Sequence, residues 1–139
     1  MNIDGVSTGI VLDHIQAGKS MQIYELLELD KLSCSVAVVQ NARSTKYGKK
    51  DIIKIDALID LDLDVLGYVD PNITVDIIKD SKLIEKKHVA LPETLTNVIK
   101  CKNPRCITSI EHGIDQKFRL TDKEKKIYRC CYCDAEFKV

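Results

Sequence analysis

In KLSCSVAVVQ, residues 31–40, Leu32, Cys34, Val36 and Val38 alternate with Ser33, Ser35 and Ala37. That period of two predicts a half-buried strand, with Cys34 as an ordinary core residue. In DIIKIDA, residues 51–57, Ile53, Ile55 and Ala57 take one side while Ile52, Lys54 and Asp56 take the other. STKYGKK between them reads as a turn, so the two runs form a hairpin. Ahead of them GIVLDHI, residues 9–15, predicts a strand with apolar residues on either side of Asp13 and His14. GKSMQIYELLEL follows it, where Ser20 can cap a helix whose face carries Ile23, Tyr24, Leu26 and Leu27.

The stretch ALIDLDLDVLGYVDP supports two patterns. Ile59, Leu61, Leu63 and Val65 alternate with Asp60, Asp62 and Asp64 as in a strand. Leu61, Val65 and Tyr68 fall at helical spacing, with Asp62 as a cap and Gly67 near the end. The helix is preferred, because PNITVDIIKD after it is a clear strand. The order is then β-α-β-β-α-β, an α+β fold of the ferredoxin-like sandwich type, with KLIEKKHVAL as a final strand. LPETLTNVIK leads out of this domain, which covers residues 1–93.

From residue 97 the texture changes to cysteines, Lys and Arg, isolated hydrophobics and a hairpin tip at LTDKEKK. A second domain of residues 94–139 is too small for an independent core without a staple. It reads as a small all-β, zinc-ribbon-like unit, with Phe118, Tyr128, Tyr132 and Phe137 as its minicore.

The 139 residues are 45% apolar and 30% charged, a globular composition. No apolar run nears the roughly 18 residues that would span a bilayer, so no membrane partner is expected. MNIDGVSTG lacks the basic and apolar regions of a signal peptide, so a cytoplasmic protein is expected. There, clustered cysteines are metal ligands before they are disulfides. Net charge is zero but uneven: residues 1–99 carry 11 Lys/Arg against 15 Asp/Glu, and residues 100–139 carry 10 against 6. Four thiolates on one Zn²⁺ would halve that basic excess, which gives poor support for binding nucleic acid. A zinc-ribbon nucleic-acid-binding protein is the alternative reading.

Five of the six cysteines lie in the last 39 residues, in CKNPRC and YRCCYC. Cys101 and Cys106 make one pair, and Cys130 with Cys133 makes a C-x-x-C knuckle. In such a knuckle the outer residues converge and the inner ones point outward, so Cys131 is a bystander. Two pairs on separate turns can set four sulfurs about 2.3 Å from one zinc. A redox dithiol would not need the second pair. All four positions are protein ligands, so the metal, one per chain, is structural. His14, His88 and His112 are scattered, and no nucleophile-base pair can be read; the chain is not expected to be an enzyme.

Together these pieces resemble the regulatory chain of aspartate carbamoyltransferase nearly end to end. TGIVLDHI, GKKDIIKID, LPETLTNVIKC, CKNPRC and CCYCDAEF carry the resemblance, and their order and spacing make it specific. It implies a non-catalytic subunit that binds CTP and ATP, with UTP a further effector and Mg²⁺ a companion of the triphosphates. It implies pairing with a second copy through the N-terminal domain and docking on the catalytic chain through the zinc domain. Asp13 matches a carboxylate on the ribose, Lys54 a lysine reaching ribose and base, and Lys86 a phosphate-binding lysine. His14 and Lys50 match positions near the phosphates or a second nucleotide. Asp4, Gly5 and Val6 fall where backbone groups read the base edge, and Ile52, Ile78 and Leu83 where apolar side chains surround it. Asn103, Arg105 and Glu136 match positions that meet the catalytic chain. Ser7, Asp76, Ser81 and Arg105 stand where the family carries a lysine, an amide, an aromatic and an asparagine. Without the resemblance, a lysine on a mixed strand is a solvated charge, an Asp-His pair after a strand is local hydrogen bonding, and no Gly-rich phosphate loop is present.

Overall fold

The computed structural model describes residues 6–138. The chain divides into two compact units, Met1–Ala90 and Leu91–Val139. No helix among the described residues is long and apolar enough to cross a membrane.

The first unit runs β1 (Gly9–Gln16), α1 (Ser20–Leu26), β2 (Val36–Ser44), β3 (Gly48–Ile55), α2 (Leu63–Val69), β4 (Thr74–Lys79) and β5 (Lys82–His88). Its strands form one antiparallel sheet in the order β2-β3-β1-β4-β5. The first four strands in that order are the ferredoxin-like sheet, and β5 extends it at one edge. Alternation sends Ile10, Leu12, Ile53, Ile55 and Val75 to a buried face, where they share a core with Ile23, Val65, Leu66 and Val69 from the helices.

The conflict over residues 59–69 resolves as the helix. The Asp62 carboxylate accepts from the backbone N–H of Asp64 and of Val65, at 3.0 and 3.3 Å. It thereby satisfies donors that a helix start leaves unpaired. Gly67 is required in this helix, because a Cβ there would run into the carbonyl oxygen of Ala90.

Two expectations for the first unit need correction. Ser20 does not cap α1: it is the first helical residue, and its hydroxyl makes no hydrogen bond among the described residues. The cap comes from Asp51 on β3, whose Oδ2 accepts from the N–H of Gly18 and of Ser20 at 3.1 and 3.3 Å. A buried charged acceptor satisfies these donors better than a hydroxyl. The strand expected from Leu32 begins only at Val36, because a 3₁₀ turn at Leu29–Lys31 prolongs the connection; Cys34 lies ahead of the strand, half-buried and outside the core. The stretch that leads out of the first domain carries a short strand, β6 (Thr94–Thr96), which belongs to the second unit.

That unit continues with a single helical turn, α3 (Ile107–Ile110), then β7 (Lys117–Asp122), β8 (Ile127–Cys130) and β9 (Glu136–Lys138). Its sheet order is β6-β7-β8-β9. Leu95, Ile99, Phe118 and Tyr128 are buried, and Phe137 packs edge-on against Phe118 with centroids 5.9 Å apart. The Tyr128 hydroxyl donates to the Pro92 carbonyl at 2.6 Å. Tyr132, expected in this minicore, is 44% exposed. It lies between Cys130 and Cys133, on the outward side of the knuckle.

Candidate metal centre and ligand-binding sheet face

In the second unit the sulfurs of Cys101, Cys106, Cys130 and Cys133 all lie within 4.8 Å of one another. Cys101 Sγ is 3.5 Å from Cys133 Sγ, and Cys106 Sγ is 3.7 Å from Cys130 Sγ. These separations are too long for disulfides. They match the edge of about 3.8 Å that four bonds of about 2.3 Å give around a tetrahedral ion.

The chain builds the site from two turns. In the first, the Asn103 carbonyl accepts from Cys106 N at 3.1 Å and from the Ser109 hydroxyl at 2.8 Å, while its side-chain oxygen accepts from Arg105 N at 3.0 Å. In the second, Cys130 O accepts from Asp134 N at 2.9 Å, and Cys130 N donates to Ala135 O at 3.0 Å. Burial pushes the thiols of Cys101 and Cys130 up, while the Thr108 hydroxyl, donating to Cys106 Sγ at 3.1 Å, pulls that thiol down. Four sulfurs this close cannot all ionise without a cation among them, and a divalent metal supplies that charge. Cys131 is exposed and outside the cluster. Asn103 is half-buried and Arg105 exposed, and Glu136 already pairs with Arg129 at 3.5 Å.

In the first unit the helices cover one face of the sheet. The opposite face collects the residues singled out for ligand binding. Val11 on β1 stands opposite Lys54 on β3 and Asp76 on β4, and Asp76 stands opposite Lys86 on β5. One step along, Asp13 stands opposite Thr74, and Thr74 opposite His88. Ile78 and Leu83 are direct partners, and Ile52 lies on the same side beside Val39. Asp4 and Gly5 lie outside the described residues; Val6 is half-buried, three residues ahead of β1.

Asp13 and Lys50 form an ion pair at 2.9 Å with side chains only 21% and 18% exposed. Burial works to raise the Asp13 carboxyl, but the Lys50 ammonium and the His14 N–H outweigh it and hold it below the usual carboxylate range. His14 sits in a β-bulge with φ of 61°, its Nδ1 2.9 Å from the Thr74 hydroxyl. Asp76 keeps a buried carboxylate oxygen that accepts no hydrogen bond from the described residues.

Beyond Thr74 the face opens into two adjoining cavities of about 530 and 440 Å³ that share His14, Tyr47 and Asn72. Lys46, Tyr47, Asn72, Thr74 and His88 line them and were not legible as site residues; they come from three separate loops and strand ends, and no local motif links them.

Comparisons with known proteins follow the same division. Residues 1–90 match the family profile described as "Aspartate carbamoyltransferase regulatory chain, allosteric domain", and residues 93–139 match its "metal binding domain". The chain is similar to the aspartate carbamoyltransferase regulatory chain of Clostridium botulinum, 51% identical over 96% of this chain and 92% of the relative. The Clostridium acetobutylicum regulatory chain is 49% identical over 99% and 94%. That of Bifidobacterium longum is 46% identical over the full length of both.

Proposed function

Because the chain belongs to the aspartate carbamoyltransferase regulatory chain family, as a non-catalytic subunit with an allosteric and a metal-binding domain, we propose that it binds nucleoside triphosphates on the open sheet face and passes their effect to the catalytic chain. The observation that carries this reading is the gathering of Asp13, Lys50, Lys54 and Lys86 on that one face. A triphosphate needs cations, and the lysines supply them; a ribose hydroxyl needs an acceptor, and Asp13 is one. Ile52, Ile78 and Leu83 offer an apolar bed for the base. CTP and ATP are the effectors of this reading, with UTP a further one and Mg²⁺ accompanying the phosphates.

The metal is zinc. The four sulfurs suit it in number, spacing and softness, and they leave no position for water, so it holds the second unit in shape. That unit docks on the catalytic chain with Asn103, Arg105 and Glu136 at the contact, and the first unit pairs with a second copy of itself. The protein works in the cytoplasm. Its basic tail is no nucleic-acid stripe, since Arg119 pairs with Asp134 and Arg129 with Glu136.

The test is reconstitution with the cognate catalytic chain, followed by aspartate saturation with and without CTP and ATP. Coupling of about 1–3 kcal/mol shifts half-saturation by about 5- to 150-fold. Lys86→Ala should abolish the response to both nucleotides together, since it addresses their shared phosphates. A mixed complex whose saturation curve ignores both nucleotides would refute the proposal.

A further inference from the structure

We propose that Gln116 and Thr108 are positioning residues of the metal centre, Gln116 by fixing the backbone of Cys101 and Thr108 by donating to the sulfur of Cys106. This rests on reading the four sulfurs as a zinc centre. Cys101 follows a stretch, residues 97–100, that belongs to no helix or strand. Its backbone is tied down by Gln116, whose Oε1 accepts from Cys101 N at 3.0 Å. Gln116 is itself held: its carbonyl accepts from Asn97 N at 2.7 Å, and its N–H donates to Asn97 Oδ1 at 2.9 Å. Asn97, at φ of 58°, also donates from Nδ2 to Asp115 Oδ1 at 3.0 Å. Next along the chain, the Lys117 carbonyl accepts from Cys131 N at 2.9 Å, inside the second knuckle. Two consecutive residues at the start of β7 thus hold both halves of the site. Without the Gln116 amide, the Cys101 N–H loses its acceptor and the first half loses this tie to β7.

Thr108 works on charge instead. Cys106 is only 1% exposed, so water does not solvate its sulfur. The Thr108 hydroxyl donates to that sulfur at 3.1 Å, whereas the hydroxyl of Ser109 beside it turns to the Asn103 carbonyl. Adjacent hydroxyls therefore have separate tasks: Ser109 closes the turn, and Thr108 addresses the ligand atom. A buried thiolate gains from such a donor, and four thiolates around one divalent ion leave a net negative centre that donors stabilise.

Two measurements on the full-length chain test this. Zinc affinity is read by competition with a chromophoric chelator, and the sulfur-to-metal charge-transfer band is read on the chain loaded with cobalt(II). Gln116→Met and Thr108→Val keep the size of the side chain and remove the bonding group, and each should weaken zinc about 10- to 100-fold. Thr108→Val should also shift the cobalt band to longer wavelength, because a sulfur deprived of its donor releases electrons more readily. Gln116→Met should leave the band in place, since it removes no donor to a sulfur. Gln116→Glu and Thr108→Ser, which retain the acceptor and the hydroxyl, should restore zinc binding. Unchanged affinity in Gln116→Met or Thr108→Val, no recovery in Gln116→Glu or Thr108→Ser, or an unmoved band in Thr108→Val would overturn the assignment. If the unmutated chain took up neither zinc nor cobalt, the zinc reading beneath the assignment would fall instead.

Discussion

Asp51→Asn changes one atom in the first unit and should cost it a large share of its stability. Asp51 is fully buried. Its Oδ1 accepts from Asn41 N at 3.0 Å, and its Oδ2 accepts from Gly18 N and Ser20 N at 3.1 and 3.3 Å. One carboxylate thus joins the bulge of β2, the start of α1 and the middle of β3. An asparagine keeps the shape but has one acceptor oxygen, so its NH₂ must face N–H groups on one side. The variant loses the charge on the remaining bonds and leaves at least one buried donor unpaired. Hydrogen bonds to charged groups are worth about 1.5–3 kcal/mol each and an orphaned donor costs about 1–3, so the sum is about 3–5 kcal/mol. Whole domains hold only about 5–15.

The pH dependence has a definite sign. Burial alone would raise the Asp51 carboxyl, but its hydrogen bonds from Ser20, Asn41 and Gly18 hold it below its ordinary value. Stability from this group is therefore fully present above the unfolded pKa of about 3.9, and is lost as pH falls through the lower folded pKa. Asparagine has no proton to gain, so wild type and variant should converge at the acid end. Urea unfolding followed by backbone NMR signals keeps the two units apart: Ile53 and Val75 report on the first, Phe118 and Tyr128 on the second. With a slope of about 1.5 kcal/mol/M, the first unit's midpoint should fall by about 2–3 M. A fall below 1 M, or an acid limb unchanged by the substitution, would refute the reasoning.

The two knuckle cysteines should separate cleanly: Cys133→Ser should lose bound zinc and the dispersed signals of residues 91–139, while Cys131→Ser keeps about one zinc per chain by elemental analysis. Gly67→Ala would stabilise an open helix by up to about 1 kcal/mol, yet here its Cβ meets the Ala90 carbonyl, so the same urea experiment should show a loss of about 1–3 kcal/mol.

Most of the fold was legible because its signals are local. Ile53 and Ile55 alternate with Ile52 and Lys54, Asp62 stands where a helix needs an acceptor, and two closely spaced cysteine pairs close on each other. What was not legible depends on partners distant in the chain. The cap of α1 is 31 residues from Ser20. Its one local sign is parity: Asp51 shares the buried phase of Ile53 and Ile55, where an unpaired carboxylate would be costly. The face proposed for the nucleotide was harder still. Periodicity tells which side of a sheet a lysine occupies and nothing of what it meets there, so Lys54 and Lys86 acquire meaning only from the register that sets Lys54 opposite Val11 and Lys86 opposite Asp76, on the face that carries Asp13.

That register depends on a departure from periodicity. By strict alternation Val11, Asp13 and Ile15 share one face of β1, so a sheet that buried Ile15 would bury Asp13 as well. The structure avoids this with one inserted residue. The pairing of β1 with β3 slips between Leu12 and Ile15, His14 takes up φ of 61°, Ile15 returns to the core fully buried, and Asp13 stays outward beside Lys50. His14 is held in this conformation by Asp13, which accepts from its N–H at 2.6 Å, and by contact with Thr74. After the slip, Ile15 stands opposite Asp51, the carboxylate that also secures the bulge of β2 at Asn41. The buried side of the sheet and the proposed ligand face thus share a support: the group that stabilises the first unit also sits where β1 is turned to present Asp13. Substitutions at Asp51 must accordingly be judged by nucleotide affinity as well as by stability.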